Sequence, residues 1–254
     1  MTEVPSGDRF LTMPGTTLMQ LTVVESGQVT PNMQRLKVTA PELASFGYLP
    51  GQDVMLMVAG DAGRPVRRRY TIRALDHDRQ LLTLDIVRHS DGPGERWIRT
   101  VAPGATVQGI GPRGKISPNP EADWHLFIAD ESGLAAVFSM AESLPPQASA
   151  TIILEVPEPD DEQPLKAAAS VQLSWLHRMA SRPPGHPDAL VEAARSVTIP
   201  AGRPHAYLIG EARVVLALRE TLELRGFDPS HMSPKAYWGR GKANASHGEP
   251  PRDG

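Results

Sequence analysis

The 254-residue sequence contains no cysteine, and this absence excludes several kinds of chemistry at once. Without thiols the chain forms no disulfide, no thiolate-bound iron–sulfur cluster or zinc site, and no cysteine nucleophile. Any redox chemistry must therefore use a bound cofactor. The eight histidines show no metal-ligand spacing, so we expect no resident metal.

The sequence also lacks long apolar runs and a strong charge of either sign. No run approaches the roughly 18 apolar residues of a membrane helix, and residues 1–15 lack the basic-then-apolar layout of a signal peptide. We therefore expect no membrane insertion and a cytoplasmic location. Lys plus Arg number 26 against 29 Asp plus Glu, a net charge of −3, so no global field attracts nucleic acid.

Proline and glycine, at 25 and 22 residues, divide the first half of the chain into short segments typical of strands. Alternation and β-branched content favour a small antiparallel barrel over a sandwich, although spacing alone does not separate the two. We expect Met55 and Met57 in its core. The six predicted strands are residues 18–24, 33–39, 53–58, 70–75, 80–89 and 105–110.

Beyond Gly114 the pattern changes to alternating strands and helices, which indicates a parallel sheet. Asp188 is placed to cap a helix, and Gly226 to end the last one in a left-handed conformation. The strands are predicted at residues 124–129, 151–156, 171–176, 205–209 and 235–238, and the helices at 132–144, 188–195 and 211–225. We therefore expect a barrel domain at residues 1–118, an α/β domain at 119–245 and a flexible tail at 246–254.

Residues 64–73 (RPVRRRYTIR) hold five arginines and no acid. Charged residues commonly protect exposed strand edges, so a solvated edge strand is one interpretation. An anionic site is the other, because Tyr70, Thr71 and Arg73 could stack on a planar ring, hydrogen-bond its edge and neutralise a phosphate.

Residues 89–97 (HSDGPGERW) follow a strand and precede a predicted helical turn. Gly92 and Gly94 would let the backbone approach a ligand, and the amides opening the turn could hold a pyrophosphate. Turns of this composition are also common without any ligand, so the segment alone is a weak signal.

Residues 109–114 match the G-x-G-x-x-G pattern of dinucleotide-binding folds. That fingerprint needs a helix to open inside the motif, and Pro112, Pro118 and Pro120 forbid one here. We reject the dinucleotide interpretation and retain Arg113 and Lys115 as possible anion contacts.

Two further segments follow predicted parallel strands. Ser132 stands at a strand-to-helix turn, but the G-x-S-x-G elbow of a hydrolase is missing, so the turn favours lining a flavin edge. Lys235, Arg240 and Lys242 surround an aromatic pair near the end of the chain, and they are either a solvated strand end or half of an anion pocket.

Taken in order, these segments resemble the siderophore-interacting proteins, which are FAD-dependent ferric-siderophore reductases of the ferredoxin-reductase-like superfamily. Residues 68–73 match R-x-Y-T-[IV]-R. Residues 130–132 match D-E-T with serine in place of the threonine. The other matching segments are residues 85–89, 91–93, 96–97, 111–114, 175–178, 210–212 and 237–238 with Gly241.

The resemblance implies a flavin-binding barrel, a nicotinamide-reductase-like domain and FAD in the cleft between them. Tyr70 would stack on the isoalloxazine and Thr71 would approach its N5 edge, while Arg68 would hold the pyrophosphate. The cofactor-binding residues implied in this way are Arg68, Tyr70, Thr71, Arg73, Val87, His89, Gly92, Pro93, Gly94, Trp97 and Ser132. The residues implied to bind an anionic ferric siderophore are Arg113, Lys115, Arg240 and Lys242.

The implied activity is reduction of a ferric siderophore to release Fe(II) for iron acquisition, with no side chain acting as acid, base or iron ligand. NADH, NADPH or reduced ferredoxin could supply electrons, and Arg178 and Arg182 are candidates for a 2′-phosphate site. We expect a monomer. A flavin reductase with another acceptor and a non-enzymatic siderophore or flavin carrier are the alternatives.

The sequence departs from the family pattern at several positions. Glu95 replaces a small hydroxyl residue, so its carboxylate should turn outward or repel the pyrophosphate. Ala129 replaces a glycine, Gly133 an alanine and Ala135 a proline near the implied flavin edge. Gly239 replaces an arginine and removes one expected siderophore contact.

Overall fold

The computed structural model describes residues 15–60, 64–88, 92–178 and 182–240. The chain divides into two compact units, Met1–Ser117 and Pro118–Gly254. The predicted flexible tail at residues 246–254 lies outside the described residues.

The first unit is a closed barrel of six antiparallel strands in the order β1-β2-β5-β4-β3-β6. Closure leaves no strand edge unpaired, which accounts for a stable sheet in so short a segment. The prediction of a six-stranded barrel is confirmed. Its strands are β1 (Thr17–Thr30), β2 (Met33–Thr39), β3 (Asp53–Val58), β4 (Val66–Asp76), β5 (Leu81–Val87) and β6 (Thr106–Arg113).

The barrel interior is filled by alternate side chains of its strands. On β3 these are Val54, Leu56 and Val58, so Met55 and Met57 point to the other face and are only half-buried. The expectation that the two methionines lie in the core is wrong, because it ignored the period of two. The other fully buried interior residues include Leu21, Leu36, Ile72, Leu82 and Leu84.

The G-x-G-x-x-G match lies on strand β6 and opens no helix, which confirms its rejection as a nucleotide fingerprint. Gly109 has a packing reason instead. A Cβ at this position would lie 2.7 Å from Leu21 Cδ1 and 3.1 Å from Leu56 Cδ2 inside the barrel. Only glycine fits there without moving the core.

One helix, α1 (Pro93–Thr100), connects β5 to β6. Ile98 on this helix is fully buried in the barrel core, and Trp97 packs against the same core. The Gln34 side-chain amide on β2 donates to the Ile98 carbonyl oxygen at 3.0 Å. These contacts fix α1 on the barrel.

The second unit is a five-stranded sheet in which every neighbouring pair is parallel, in the order β11-β10-β7-β8-β9. The predicted parallel sheet is confirmed, and β7 is its central strand. The strands are β7 (Trp124–Asp130), β8 (Ser149–Val156), β9 (Ser170–His177), β10 (Pro204–Glu211) and β11 (Met232–Trp238). The helices are α2 (Leu134–Glu142), α3 (Asp188–Ser196) and α4 (Ala212–Leu224).

The ends of α3 and α4 differ in detail from the prediction. Asp188 is the first residue of α3 and does not cap it, because Pro187 occupies the cap position. Glu211 precedes α4, and its carboxylate accepts hydrogen bonds from the amides of Arg213 and Val214 at 2.6 and 3.1 Å. Gly226 has a φ of 89°, as the left-handed helix end requires.

Two histidines stand side by side at the amino-terminal edge of the sheet, His125 on β7 and His205 on β10. The Asn119 side-chain amide donates to His205 Nδ1 at 3.1 Å, so the ring proton is on Nε2, which donates to Ser233 Oγ at 2.9 Å. Both rings are buried beside Tyr207, and burial lowers the pKa of both histidines, that of His205 to about 4.

The lowered pKa of His205 makes stability depend on pH. The unfolded chain binds a proton at this ring below about pH 6.5 and the folded chain does not, so stability falls as the pH drops from 6.5 towards 4. Between about pH 7.5 and 5, the native chain should lose about 2 kcal/mol of unfolding free energy relative to His205→Gln. Urea unfolding at both pH values measures this difference. Equal pH dependence in native and His205→Gln chains would contradict the interpretation.

Candidate functional site

Three of the predicted cofactor residues come together where α1 meets β4. A Cβ on Gly94 would lie 2.9 Å from the Tyr70 hydroxyl oxygen, 3.1 Å from Arg68 Cγ and 3.3 Å from Arg68 Nε. Gly94 therefore packs its bare backbone against both side chains, and any larger residue would displace them. The closeness of residues 68, 70 and 94 follows from the fold of the barrel unit alone.

We call the amino terminus of α1, which no described side chain caps, its open end. Gly92 is its cap residue and Pro93 its first residue, and among the described residues no side chain caps this end. The first-turn amides of Gly94 and Glu95 have no acceptor within the helix. With the helix dipole they favour an anion, and the Arg68 guanidinium group adds a positive charge beside them.

Tyr70 is held as a neutral phenol beside this helix end. Burial raises its pKa above the usual value, the Arg68 charge acts against this, and the Glu95 carboxylate adds to it. The ring also packs partly against the barrel core. At neutral pH the hydroxyl group is therefore a hydrogen-bond donor on a fixed aromatic ring.

Glu95 does not turn outward, so the first of the two outcomes expected for its carboxylate is wrong, and repulsion of the pyrophosphate stays a prediction. Its side chain is 3% exposed, and Oε1 accepts a hydrogen bond from Arg99 Nε at 2.6 Å, one helical turn further on. Pairing with Arg99 and a place in the first turn of α1 both compensate a buried carboxylate. The Glu95 carboxylate therefore points into the protein and not towards solvent.

Two arginines of the 64–73 run neutralise buried carboxylates on neighbouring strands. Arg69 forms a two-point ion pair with Asp53 of β3, its Nε lying 2.8 Å from Oδ1. Arg73 Nε lies 3.7 Å from Asp85 Oδ2, and Arg35 makes a two-point bond to the same carboxylate at 2.7 Å. Arg73 is therefore an ion-pair partner of Asp85, a pairing that the sequence did not indicate.

The remaining predicted residues of the barrel unit are spread over several elements. Thr71 is buried on β4, Val87 ends β5 and Trp97 lies on α1. Arg113 ends β6 and is half-buried, whereas Lys115 is exposed. Predicted residues His89 and Lys242 lie outside the described residues.

In the second unit, Asp130 ends the central strand β7 and is almost completely buried. Oδ1 accepts from the Ser132 amide at 2.9 Å and from the Ser132 hydroxyl group. Oδ2 accepts from the Glu211 amide and from Trp238 Nε1, both at 2.9 Å. Burial and the neighbouring Glu131 raise the pKa of Asp130 to about 6 against these hydrogen bonds. The structure thus places predicted Ser132 as a donor to Asp130.

Glu131 reaches in the opposite direction across the sheet. It makes a two-point ion pair with Arg178, at 2.6 and 2.7 Å, and Arg178 also lies 3.1 Å from Glu155 at the end of β8. The Arg178 side chain is 4% exposed. Its proposed use in a 2′-phosphate site is therefore wrong, because two buried carboxylates already hold it. Burial raises the pKa of Glu155 to about 7 despite Arg178.

The ion pairs of Glu131 and Glu155 with Arg178 were not predicted from the sequence. The available signal was positional: an acid ends each of the consecutive strands β7 and β8, and Arg178 follows β9. Carboxyl ends of parallel strands meet at one edge of the sheet, so these residues were bound to be neighbours. Arg240, at the same edge, is exposed, and its amide donates to Glu211 Oε1 at 2.9 Å.

The two departures from the family pattern at residues 129 and 133, alanine for glycine and glycine for alanine, compensate each other. A Cβ on Gly133 would lie 2.8 Å from the Ala129 Cβ and 2.9 Å from Ile209 Cγ2. One methyl group fits between the strand end and the following turn, so alanine at 129 requires glycine at 133.

Within the described ranges, no three or more His, Asp or Glu side chains are arranged to hold a metal ion. None of the helices in these ranges is both long and apolar enough to span a bilayer.

Comparison with known proteins gives a consistent result. A family model described as the siderophore-interacting FAD-binding domain matches residues 57–116, and one described as siderophore-interacting protein matches residues 122–241. The ferric vibriobactin reductase ViuB of Vibrio cholerae is 31% identical over 90% of this chain and 92% of that protein.

Solved structures agree with these matches. A siderophore utilization protein from T. fusca has a TM-score of 0.83 and 31% identity, covering 93% of this chain and 98% of that one. Ferredoxin-NADP+ reductase from Plasmodium falciparum has a TM-score of 0.64 at 13% identity, covering 87% of this chain and 96% of that one. The second likeness shows a shared fold and confirms the ferredoxin-reductase-like fold class.

Arg178 should be essential to the stability of the second unit. Arg178→Met leaves Glu131 and Glu155 buried without a cation, which should cost about 3 to 5 kcal/mol near pH 8. Without Arg178 the pKa of Glu155 rises further, so the variant takes up this proton at a higher pH than the native chain and the loss should shrink as the pH falls from about 8 towards 7. Urea unfolding at both pH values tests this, with the exposed Arg182→Met as the control. A loss below about 1 kcal/mol, the size typical of a surface pair, would contradict the prediction.

Proposed function

Because the chain belongs to the siderophore-interacting protein family, we propose that it reduces a ferric siderophore and releases Fe(II), with FAD as its cofactor. The observation that carries this proposal is the contact of Gly94 with Tyr70 and Arg68 at the open end of α1. These residues lie inside the segment that matches the FAD-binding family model.

The residues at the open end of α1 fit a flavin dinucleotide. The first-turn amides and the Arg68 guanidinium group suit a pyrophosphate, and the neutral Tyr70 ring suits the edge of a flavin. Gly94 leaves room for the Tyr70 and Arg68 side chains at the helix end, and Arg99 pairs with Oε1 of Glu95 within the protein. Thr71, Val87, Pro93 and Trp97 would complete the surroundings of the cofactor, together with Gly92, His89 and Arg73.

FAD supplies the one chemical property that the side chains lack, because it takes up electrons in pairs and passes them on singly. Each Fe(III) of the substrate gains one electron and becomes Fe(II), which hard oxygen ligands hold less tightly. The protein need supply no acid, base or iron ligand. Its residues bind and orient the cofactor and attract the chelate.

We assign the attraction of an anionic chelate to four basic residues. Lys115 and Arg240 are exposed, Arg113 is half-buried, and Lys242 would add a fourth positive charge. NADH, NADPH or reduced ferredoxin would supply the electrons. The acidic partners of Arg69, Arg73 and Arg178 remove those arginines from this role.

Donor-driven formation of Fe(II) tests the function. FAD-loaded protein is given NADH, NADPH or reduced ferredoxin with a ferric siderophore, and an Fe(II)-specific colorimetric trap measures the product. We expect Fe(II) to form with at least one donor and only when FAD is bound. Equal donor consumption with and without the chelate would indicate a flavin reductase with another acceptor. Failure to bind FAD at micromolar concentration would overturn the proposal.

Gly94→Ala should weaken FAD binding by about tenfold or more, because the added methyl group displaces Tyr70 and Arg68. Quenching of flavin fluorescence measures the Kd. Tyr70→Ala should also weaken binding, since it removes the stacking ring.

Gly47→Ala is the matched control for this change, because nothing lies within 4 Å of a Cβ at Gly47 and its backbone is not left-handed. Its Kd for FAD should equal that of the native chain. Unchanged FAD affinity in both Gly94→Ala and Tyr70→Ala would show that the cofactor binds elsewhere.

A further inference from the structure

The Asp130 carboxylate joins three segments that are far apart in the sequence. Each of its oxygens accepts two hydrogen bonds, from Ser132 on one side and from Glu211 and Trp238 on the other. Asp130 itself is 2% exposed. Only a group with two acceptor oxygens satisfies four donors, so a carboxylate is required at the end of β7.

The Trp238 indole ring is fixed between Asp130 and the backbone at Gly185. A Cβ on Gly185 would lie 2.9 Å from Trp238 Cη2 and 2.7 Å from Glu211 Cγ. On the other side, Gly210 leaves room for Asp130, since a Cβ there would lie 2.5 Å from Asp130 Oδ2. Both glycines also have positive φ values, 73° and 146°. The close contact with Gly185 and the hydrogen bond to Asp130 together hold the indole ring in place.

Two connections lead from Asp130 to Arg240. The first runs through Trp238, two residues before Arg240 on the same segment. The second runs through Glu211, whose amide donates to Asp130 and whose Oε1 accepts from the Arg240 amide at 2.9 Å. The remaining Glu211 oxygen caps α4. Asp130 therefore fixes the backbone that carries the exposed Arg240 side chain.

We infer that Asp130 is a positioning residue, which sets the affinity for the ferric chelate by holding the segment from Trp238 to Arg240 at the edge of the sheet. This inference rests on the proposed function. Asp130 does not touch the chelate, and it acts through the Trp238 indole and the Glu211 backbone. Loss of the carboxylate should therefore raise the KM for the chelate while kcat and FAD affinity change little.

The test uses binding of a redox-inert substrate, the gallium(III) complex of the siderophore, to FAD-loaded protein by calorimetric titration. Asp130→Ala should weaken binding by about tenfold, the loss typical of removing buried hydrogen bonds. Trp238→Phe keeps the ring but removes the N–H donor, and it should weaken binding in the same direction. Both changes remove the same hydrogen bond between Asp130 and Trp238. The double variant should therefore bind the gallium complex no more weakly than the single variant with the lower affinity.

Asp123→Ala is the matched control, because it removes a carboxylate at the opposite end of β7, where Oδ2 accepts a hydrogen bond from the Arg203 amide at 2.7 Å. It should keep native affinity for the gallium complex. The fluorescence of Trp238, obtained in each background as the difference between the spectra with and without Trp238→Phe, should shift in Asp130→Ala and stay unchanged in Asp123→Ala. Arg240→Ala should raise the KM for the ferric chelate and leave FAD binding intact.

The outcomes separate this inference from the proposed function. If the native protein does not bind the gallium complex, the siderophore function fails. If the native protein binds it and Asp130→Ala binds equally well, or if the losses in the double variant add, the positioning role fails while the function stands. Should Asp130→Ala not fold, unchanged affinity in Trp238→Phe would overturn the inference and weakened affinity would support it.

Discussion

Two neighbouring carboxylates hold the carboxyl edge of the parallel sheet together. Asp130 and Glu131 follow each other at the end of the central strand β7 and reach in opposite directions. Asp130 binds groups at the ends of β10 and β11, and Glu131 binds Arg178, which in turn meets Glu155 at the end of β8. Burying adjacent acids is costly unless each is paired. These pairings therefore tie together the ends of all five strands.

Two carboxylates at this edge also cap helical turns of the second unit. Glu211 caps α4 and Asp130 caps the turn before α2, so these amides in the second unit bind the protein's own acids. Among the described residues, α1 has no such cap, and Arg68 and Tyr70 lie beside it. Helix α3 also lacks a side-chain cap, so it is the Arg68 guanidinium group and the Tyr70 ring beside α1 that support placing the phosphates of FAD there. In the proposed function, the barrel would bind the cofactor and the sheet edge would present Arg240 to the substrate.

Local patterns were sufficient to predict the barrel and the parallel sheet, because alternation, helical spacing and turn residues act over short distances. The grouping of Arg68, Tyr70 and Gly94 around one ligand was implied by the family resemblance instead. The ion pairs were not predictable from local patterns. Arg73 meets Asp85 and Arg178 meets Glu131 only because particular strands are neighbours in the folded chain. The orientation of Glu95 depended likewise on Arg99 and on burial against the barrel.

Electron transfer from the loaded protein to ferric iron is the most direct measurement of the proposed activity. FAD-loaded protein is reduced by light without oxygen and mixed with a ferric siderophore in a stopped-flow instrument. We expect the flavin absorbance to return far faster than for free reduced FAD, with about two Fe(II) trapped per flavin. Reoxidation no faster than that of free FAD, or no trapped Fe(II), would contradict the proposed function.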